Sequence, residues 1–341
     1  MSTTITLKVK QVIEETADAV TLVFEKPAWT YLAGQFITLR IPFGDQYVER
    51  SYSFSSHPSG DDALAITVKR VPGGQVSTYL QKHAHEGLTL EAKPPAGQFT
   101  LPPLKHTYHH LVLLAGGSGI TPLFSILKEA LLTSEKTKIS LIYANRHEED
   151  IIYKEALAAW QARYPTRLLT THILSRPSPL WQGYRGRLTP KRLHSLLQRI
   201  QDEGSPTTYF LCAPKGLMEM IRTSLAQRGV PPSHIFQESF IPPSLPAKQT
   251  PFTYDLKLHF EGQTYQTNAP NTQTVLEAAL EAGAELPYAC MSGTCNTCRA
   301  KCTKGSVEMS EDEGLSSQEL EEGYILTCVA HAKSKQVEII V

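Results

Sequence analysis

Long apolar runs are missing from this chain. None approaches the roughly 20 residues that a membrane-spanning helix needs, so helical insertion into a bilayer is not expected. No internal repeat and no low-complexity tract is present. A basic tail and a nucleic-acid-binding motif are also lacking, so no nucleic acid is expected as a partner. No apolar leader opens "MSTTITLKVK", which points to a reducing, cytoplasmic setting rather than a disulfide-forming one. Net charge is absent, because 33 Lys and Arg balance 33 Asp and Glu. Cysteine is scarce, with six in 341 residues.

The length suggests two or three domains, and 41% hydrophobic with 19% charged residues is ordinary for a globular protein. The zero charge hides an asymmetry. Residues 251–341 hold 13 acidic and 6 basic groups, a charge of −7, which leaves 20 acidic and 27 basic groups, or +7, in residues 1–250. Such polarity steers charged partners or docks one domain on another, although a solvated acidic face has the same composition.

Four of the six cysteines form one spaced set near the C-terminus. Cys290, Cys295 and Cys298 follow a Cys-x4-Cys-x2-Cys spacing in "CMSGTCNTC", and Cys328 comes after 29 intervening residues. This is the ligand spacing of a plant-type [2Fe–2S] centre, which carries single electrons. A zinc site is the main rival. It usually offers paired short knuckles, whereas three thiols in one loop and a lone fourth suit a cluster better. Cys302, four residues past the loop, reads as structural.

The first hundred residues contain "TLKVKQVIEE", "AVTLVFEK", "QFITLRIP", "RSYSFSS" and "ALAITVKR", rich in β-branched and aromatic residues and separated by turns. That pattern predicts an antiparallel β-barrel over residues 1–104. From about Lys105 apolar strands ("HLVLLAGG", "KISLIYAN", "RLLTTHILS", "TTYFLCAP") alternate with helical segments, which predicts an α/β domain with a parallel sheet over 105–240. The segment 241–251 holds Pro242, Pro243, Pro246 and Pro251 and reads as a semi-rigid linker. Residues 252–341 read as a small α+β domain, with a helix capped by Thr274 and Glu277 and a last strand "QVEIIV". Val275, Leu276, Ala279 and Leu280 form the apolar face of that helix.

A one-electron centre is often supplied from a nicotinamide hydride through a flavin, because a flavin accepts the pair and releases electrons singly. Four segments fit such chemistry. In "RSYS", Arg50 suits a phosphate, Tyr52 a flat ring and Ser53 a ring edge, although any half-buried strand shares this alternation. In "GGQVST", Gly74 and Gln75 open a helix whose free N–H groups, with Ser77 and Thr78, suit a pyrophosphate. An ordinary capped turn would read the same. In "GGSGITP", Gly117 and Gly119 follow a strand and Pro122 suits the first helical position. Pro122 stands where a third glycine would complete the dinucleotide fingerprint. In "CAP", Cys212 ends a strand and Pro214 opens a helix. It reads either as a core thiol or as a sulfur beside a nicotinamide ring.

Taken together and in this order, these motifs resemble the ferredoxin–NADP reductase superfamily, and the added cysteine loop resembles plant-type ferredoxin. The domain order looks like the reductase subunits of bacterial multicomponent oxygenases. "YANRHEEDIIY", "HILSRP", "WQGYRGRL" and "IFQESF" are most like the reductase subunit of the phenylacetyl-CoA epoxidase (ring-1,2-hydroxylating) complex. The resemblance implies a β-grasp-like ferredoxin fold after the flavin barrel and the nucleotide domain. It implies FAD, a [2Fe–2S] cluster and NADPH, with an oxygenase as redox partner and phenylacetate catabolism as setting. It assigns Arg50, Ser51, Tyr52, Ser53, Val68, Lys69, Gly74, Gln75, Val76, Ser77 and Thr78 to FAD. Gly117, Gly119, Thr121, Pro122, Cys212 and Pro214 go to the nicotinamide nucleotide, with Ser53, Thr121, Cys212 and Glu238 nearest the hydride path and Phe240 in the tail element. Ala213 departs from the usual Cys-Gly-Pro. Ser175 and Arg176 resemble a 2′-phosphate site that favours NADPH over NADH, with Arg187 either a helper or a surface charge. Another oxygenase, a steroid hydroxylase or a desaturase are alternative acceptors, and an iron–sulfur redox sensor is the reading from another class. His83, His85, His106, His109 and His110 read as solvent-facing loop residues rather than a metal site.

Overall fold

β-Branched and aromatic residues build the first sheet of the computed structural model, which describes residues 4–44, 46–101, 109–200, 206–240, 251–284, 286–288, 291, 293, 296–310, 312 and 314–341. Its strands are β1 (Ile5–Thr16), β2 (Ala19–Phe24), β3 (Phe36–Phe43), β4 (Gln46–Ser53), β5 (Leu64–Lys69) and β6 (Thr89–Ala96), with α1 (Gln75–His83) inserted before the last. The sheet order is β4-β3-β6-β1-β2-β5. An antiparallel bridge from Phe54 to Ile66 joins its two edges, as barrel closure requires. Leu22, Phe24, Ile37, Leu39, Phe54, Ile66 and Val68 fill the interior.

The second sheet is parallel. Strands β7 (His110–Gly116), β8 (Lys138–Asn145), β9 (Leu168–Leu174), β10 (Tyr184–Arg185), β11 (Thr207–Cys212) and β12 (Ile235–Glu238) lie in the order β10-β9-β8-β7-β11-β12. All seven residues of β7 are buried, because helices cover both faces. α2 (Ile120–Thr133) and α3 (Lys154–Arg163) pack with Leu111, Leu113 and Tyr143 on one face. α4 (Pro190–Ile200) and α5 (Lys215–Gln227) pack with Val112, Leu114 and Ile142 on the other. The chain winds one way from β7 to β10 and the other way from β7 to β12. The crevice at the carboxyl ends of β7 and β11 is therefore the topological switch point, where open α/β sheets bind ligands.

The C-terminal sheet is mixed. β13 (Thr253–Phe260), β14 (Gln263–Pro270), β15 (Arg299–Lys304), β17 (Tyr324–Leu326) and β19 (Gln336–Ile340) run in the order β14-β13-β19-β15-β17, with β13 and β19 parallel. β16 (Val307–Met309) and β18 (Ala330–Ala332) form a separate pair, and α6 (Val275–Glu281) and α7 (Ser317–Glu321) are the helices of this region. The Thr274–Glu277 capping box is present on α6, which buries Val275, Leu276, Ala278 and Ala279. Internal contacts divide the chain into two compact units. One is Met1–Ile41 with Tyr52–Glu238, and the other is Pro42–Ser51 with Ser239–Val341.

Two expectations change, and one strand forms that the sequence pattern does not single out. His110 is not a loop residue. It lies in β7, 3% exposed, with Nε2 2.9 Å from Ser140 Oγ, because the apolar run that follows draws it into the sheet. α2 begins at Ile120, two residues before Pro122, after a short 3-10 turn; proline is tolerated there because first-turn N–H groups have no helical acceptor. Strand β6 carries Pro94 and Pro95, which argue against a strand. The prolines fall beyond the β1 pairing, which covers Thr89–Ala92, and beside a register shift against β3. His83, His85 and His109 are exposed. His106 and Pro242, Pro243 and Pro246 of the linker lie outside the described residues.

Candidate functional site

The glycines after β7 are explained by what lies beside them. A Cβ at Gly119 would meet the Cys212 carbonyl oxygen at 2.0 Å, so only glycine lets the turn approach β11 this closely. A Cβ at Gly116 would meet Pro214 Cδ at 2.7 Å and Ala213 Cβ at 3.0 Å. "GGSG" and "CAP" are thus two sides of one packed joint at the switch point. Gly117 adopts φ +54°, a left-handed conformation that favours glycine, and has no atom within 4 Å on its Cβ side. Its carbonyl accepts from the Tyr143 hydroxyl at 2.9 Å. Thr121 is buried and donates to the Ser118 carbonyl at 2.9 Å, so its hydroxyl closes the turn.

Strand register places Cys212 between Ala115 on β7 and Glu238 on β12. Ser53 Oγ, from the end of β4, donates to Glu238 Oε2 at 3.1 Å. Four sequence-assigned features (Ser53, Glu238, Cys212 and the 116–119 turn) therefore converge from widely separated positions. Burial, reinforced by the charge of Glu238, pushes the Cys212 thiol well above the usual range, so it stays a neutral, weakly polar group.

In the other assigned segments, Gly74 precedes α1, which begins at Gln75 with no side-chain cap on its first N–H groups. Ser77 Oγ is engaged instead by the Val71 N–H at 3.1 Å, and Val76 and Ser77 are buried. Val68 is buried within β5, and the neighbouring Lys69 Nζ lies 3.4 Å from Asp18. Ser51 and Tyr52 are half-buried. Arg50 lies over the Tyr288 ring at 3.9 Å, and its Nη2 donates to the Tyr288 hydroxyl at 2.7 Å.

On the nucleotide sheet, the backbone N–H groups of Ser175 and Arg176 donate to the carbonyls of Asn145 and Arg146 at 3.0 and 2.8 Å. These bonds hold the loop after β9 to the end of β8, with the Arg176 side chain exposed. Ser178 donates from its N–H and hydroxyl to Glu148, which holds that carboxyl below its ordinary range. Tyr143 and Glu148 lie in "YANRHEEDIIY" but received no role from the sequence, since neither belongs to a glycine motif. The signal available was their position at or just after the end of a strand next to the turn.

Of the four clustered thiols, Cys298 and Cys328 are described, at 2% and 0% exposed. Thr327 joins them. Its N–H and its hydroxyl both donate to the Cys298 carbonyl, at 3.1 and 3.0 Å. The Thr327 carbonyl in turn accepts the Leu276 N–H at 3.0 Å, which ties the pair to the start of α6. Cys290 and Cys295 lie outside the described residues. Cys298 immediately precedes β15 and Cys328 follows β17, and these two strands pair with each other.

Comparison with known proteins matches three family models in order. They are an oxidoreductase FAD-binding domain over 4–101, an oxidoreductase NAD-binding domain over 113–223 and a 2Fe-2S iron-sulfur cluster binding domain over 258–333. The ferredoxin reductase component of 3-ketosteroid-9-alpha-monooxygenase from Rhodococcus rhodochrous is 34% identical, covering 99% of this chain and 97% of that protein. A 1,2-phenylacetyl-CoA epoxidase component from Escherichia coli K12 is 32% identical, covering 97% and 95%. The solved structure of phthalate dioxygenase reductase shares the fold over 99% of this chain and 98% of that one, with a TM-score of 0.64 at 23% identity.

Proposed function

Because the chain belongs to the ferredoxin–NADP reductase-like oxidoreductases that carry a [2Fe–2S] ferredoxin domain, we propose that it moves electrons from NADPH through FAD and the cluster to an oxygenase component. The domain layout of this reading is a flavin barrel over 1–104, a nucleotide domain over 105–240, a linker over 241–251 and a ferredoxin domain over 252–341. When bound, the flavin supplies hydride acceptance with one-electron release, and the cluster supplies single-electron carriage.

The residues described fit these groups. The open side of Gly117 and the uncapped start of α1 offer backbone N–H groups of the kind that hold phosphates. Arg50, Ser51, Tyr52, Ser53, Val68, Lys69 and Gly74–Thr78 hold FAD in this reading. Gly117, Gly119, Thr121, Pro122, Cys212 and Pro214 seat the nicotinamide half, and Cys290, Cys295, Cys298 and Cys328 hold the cluster. The Ser53–Glu238 bond beside Cys212 is the observation that carries the reading, because it brings a barrel residue to the switch point of the nucleotide sheet. The task of these side chains is positioning. Cys212, kept neutral, offers a polarizable surface without acting as a nucleophile.

Ser175 and Arg176 support NADPH over NADH, because an exposed guanidinium suits a 2′-phosphate. Among acceptors, the motif likeness favours a phenylacetyl-CoA epoxidase-type partner. The steroid monooxygenase reductases, at comparable identity, support a steroid-type partner as the second reading. Purified protein should contain flavin, iron and sulfide and reduce ferricyanide and cytochrome c faster with NADPH than with NADH. Zinc in place of iron would overturn the cluster assignment. Reconstitution with each terminal oxygenase separates the two acceptors.

A further inference from the structure

The face of α2 that begins at Thr121 continues through Ser125 and Lys128, at i+4 and i+7, so all three lie on one side of the helix. Each of the last two is buried against the loop that follows Ser53. Ser125 Oγ donates to the Ser56 carbonyl. Lys128 Nζ lies 2.6 Å from Asp61 Oδ2, with the lysine side chain only 9% exposed. The same oxygen accepts the His57 backbone N–H at 2.9 Å, and His57 Nδ1 lies 2.7 Å away from it. Lys128 also lies over the Phe124 ring at 4.8 Å, and the His57 ring meets Trp160 of α3 edge-on at 6.3 Å. Outside the pair, Glu129 of α2 accepts from Ser59 Oγ and from its N–H.

A buried ion pair is weak evidence for stability, because a well-packed apolar pair often replaces it without loss. Desolvation favours the neutral lysine and the neutral acid. Yet the His57 bonds and the Lys128 charge outweigh burial at Asp61 and hold its carboxyl at about 2. Asp61 is therefore held ionised, while burial lowers Lys128 against the pull of the Asp61 charge; the short contact fixes a direction, which is what the pair contributes beyond packing. Its position matters as much as its chemistry. The loop leaves Ser53 at one end, and α2 starts just after Gly119 at the other. These are the two points that converge at the switch point.

Resting on the function proposed above, we infer that the Ser56–Asp61 loop and the Ser125–Lys128 face of α2 form a positioning clamp that sets the register of the flavin-side strand end against the nicotinamide-side turn. Asp61 and Lys128 are not among the residues assigned to either cofactor. They act through Ser53 and Thr121 on the distance across which hydride passes.

The test uses the full-length holoprotein, as Lys128→Met, as Asp61→Asn with Lys128→Met, and as Ser125→Ala, which leaves no unpaired charge. Three quantities are read: flavin and iron content, the NADPH dissociation constant, and the single-turnover rate of flavin reduction with its deuterium isotope effect. Small misalignments at reacting centres cost up to about a hundredfold. The clamp predicts a roughly tenfold or greater fall in that rate in the first two variants and a smaller fall in Ser125→Ala. Cofactor content and NADPH affinity stay within about twofold, and the isotope effect is retained or enlarged. Unchanged rates in all three overturn the clamp, as does a fall that only tracks lost flavin or lower thermal stability. If Lys128→Met does not fold, the double variant and Ser125→Ala decide. Wild-type protein that takes no hydride from NADPH would instead sink the functional reading itself.

Discussion

The switch point of the parallel sheet and the cysteine end of the C-terminal sheet solve the same task in different ways. At the switch point, backbone packing does the positioning. Gly119 is pressed on the Cys212 carbonyl, Gly116 on Pro214 and Ala213, and β7 beneath them is wholly buried. At the cysteine end the strands are short, and two hydrogen bonds from Thr327 hold the described thiols together. Core packing holds the first site, whereas in the described part of the second one threonine makes the link.

The largest expected effect separates these two regions outright. Cys328→Ser should abolish cluster absorbance and bring cytochrome c reduction to background, while NADPH-dependent ferricyanide reduction by the flavin persists. Iron removal by a chelator should do the same to the wild type and lower the unfolding temperature of the C-terminal unit alone. If ferricyanide reduction is lost as well, the two sites are not independent in the way the contrast requires.

Gly119→Ala attacks the packed site. Its Cβ would land 2.0 Å from a backbone oxygen, so the turn must shift; overpacking of this kind costs about 1–3 kcal/mol. Calorimetry should show the loss in the first unit only, with slower flavin reduction and intact cluster absorbance. Arg176→Ala should leave NADH turnover unchanged and lower the NADPH-over-NADH preference about tenfold, the scale of one charge-assisted hydrogen bond. Steady-state kinetics with both nucleotides read this directly.

Much of this was legible in the sequence, and the particular residues show why. The strands of the barrel and the apolar β7, β8 and β11 carry their period or their burial on their face, and the Thr274–Glu277 capping box is visible as a local spacing. Ser53, Cys212 and Glu238, given roles only by the resemblance, lie together in the structure. β6 was not legible, because Pro94 and Pro95 deny the strand that tertiary pairing with β1 and β3 creates. His110 was misjudged because a polar residue at a strand start reads as loop until its partner Ser140 is known. The clamp from Ser56–Asp61 to Ser125–Lys128 spans about 70 residues of sequence, and no local pattern announces it.

Smaller effects sharpen the contrast further. Thr274→Ala removes the cap of α6 and should destabilise the C-terminal unit by about 1 kcal/mol, with no change in flavin reduction. The smallest effect is at Cys212. Its thiol stays protonated in the fold at pH values where an unfolded cysteine, with pKa about 8.5, ionises. The stability this contributes is fully present below that value and declines as pH rises toward the folded pKa. Cys212→Ala should therefore show a shallower loss of stability than the wild type in denaturant titrations at alkaline pH.

The central claim is that hydride enters at the switch point and leaves as single electrons through the thiolate centre. Anaerobic stopped-flow absorbance after mixing the holoprotein with NADPH tests it most directly. The account predicts flavin bleaching first and cluster bleaching second, with the second phase absent in Cys328→Ser. Cluster reduction at an undiminished rate in flavin-free protein would contradict it.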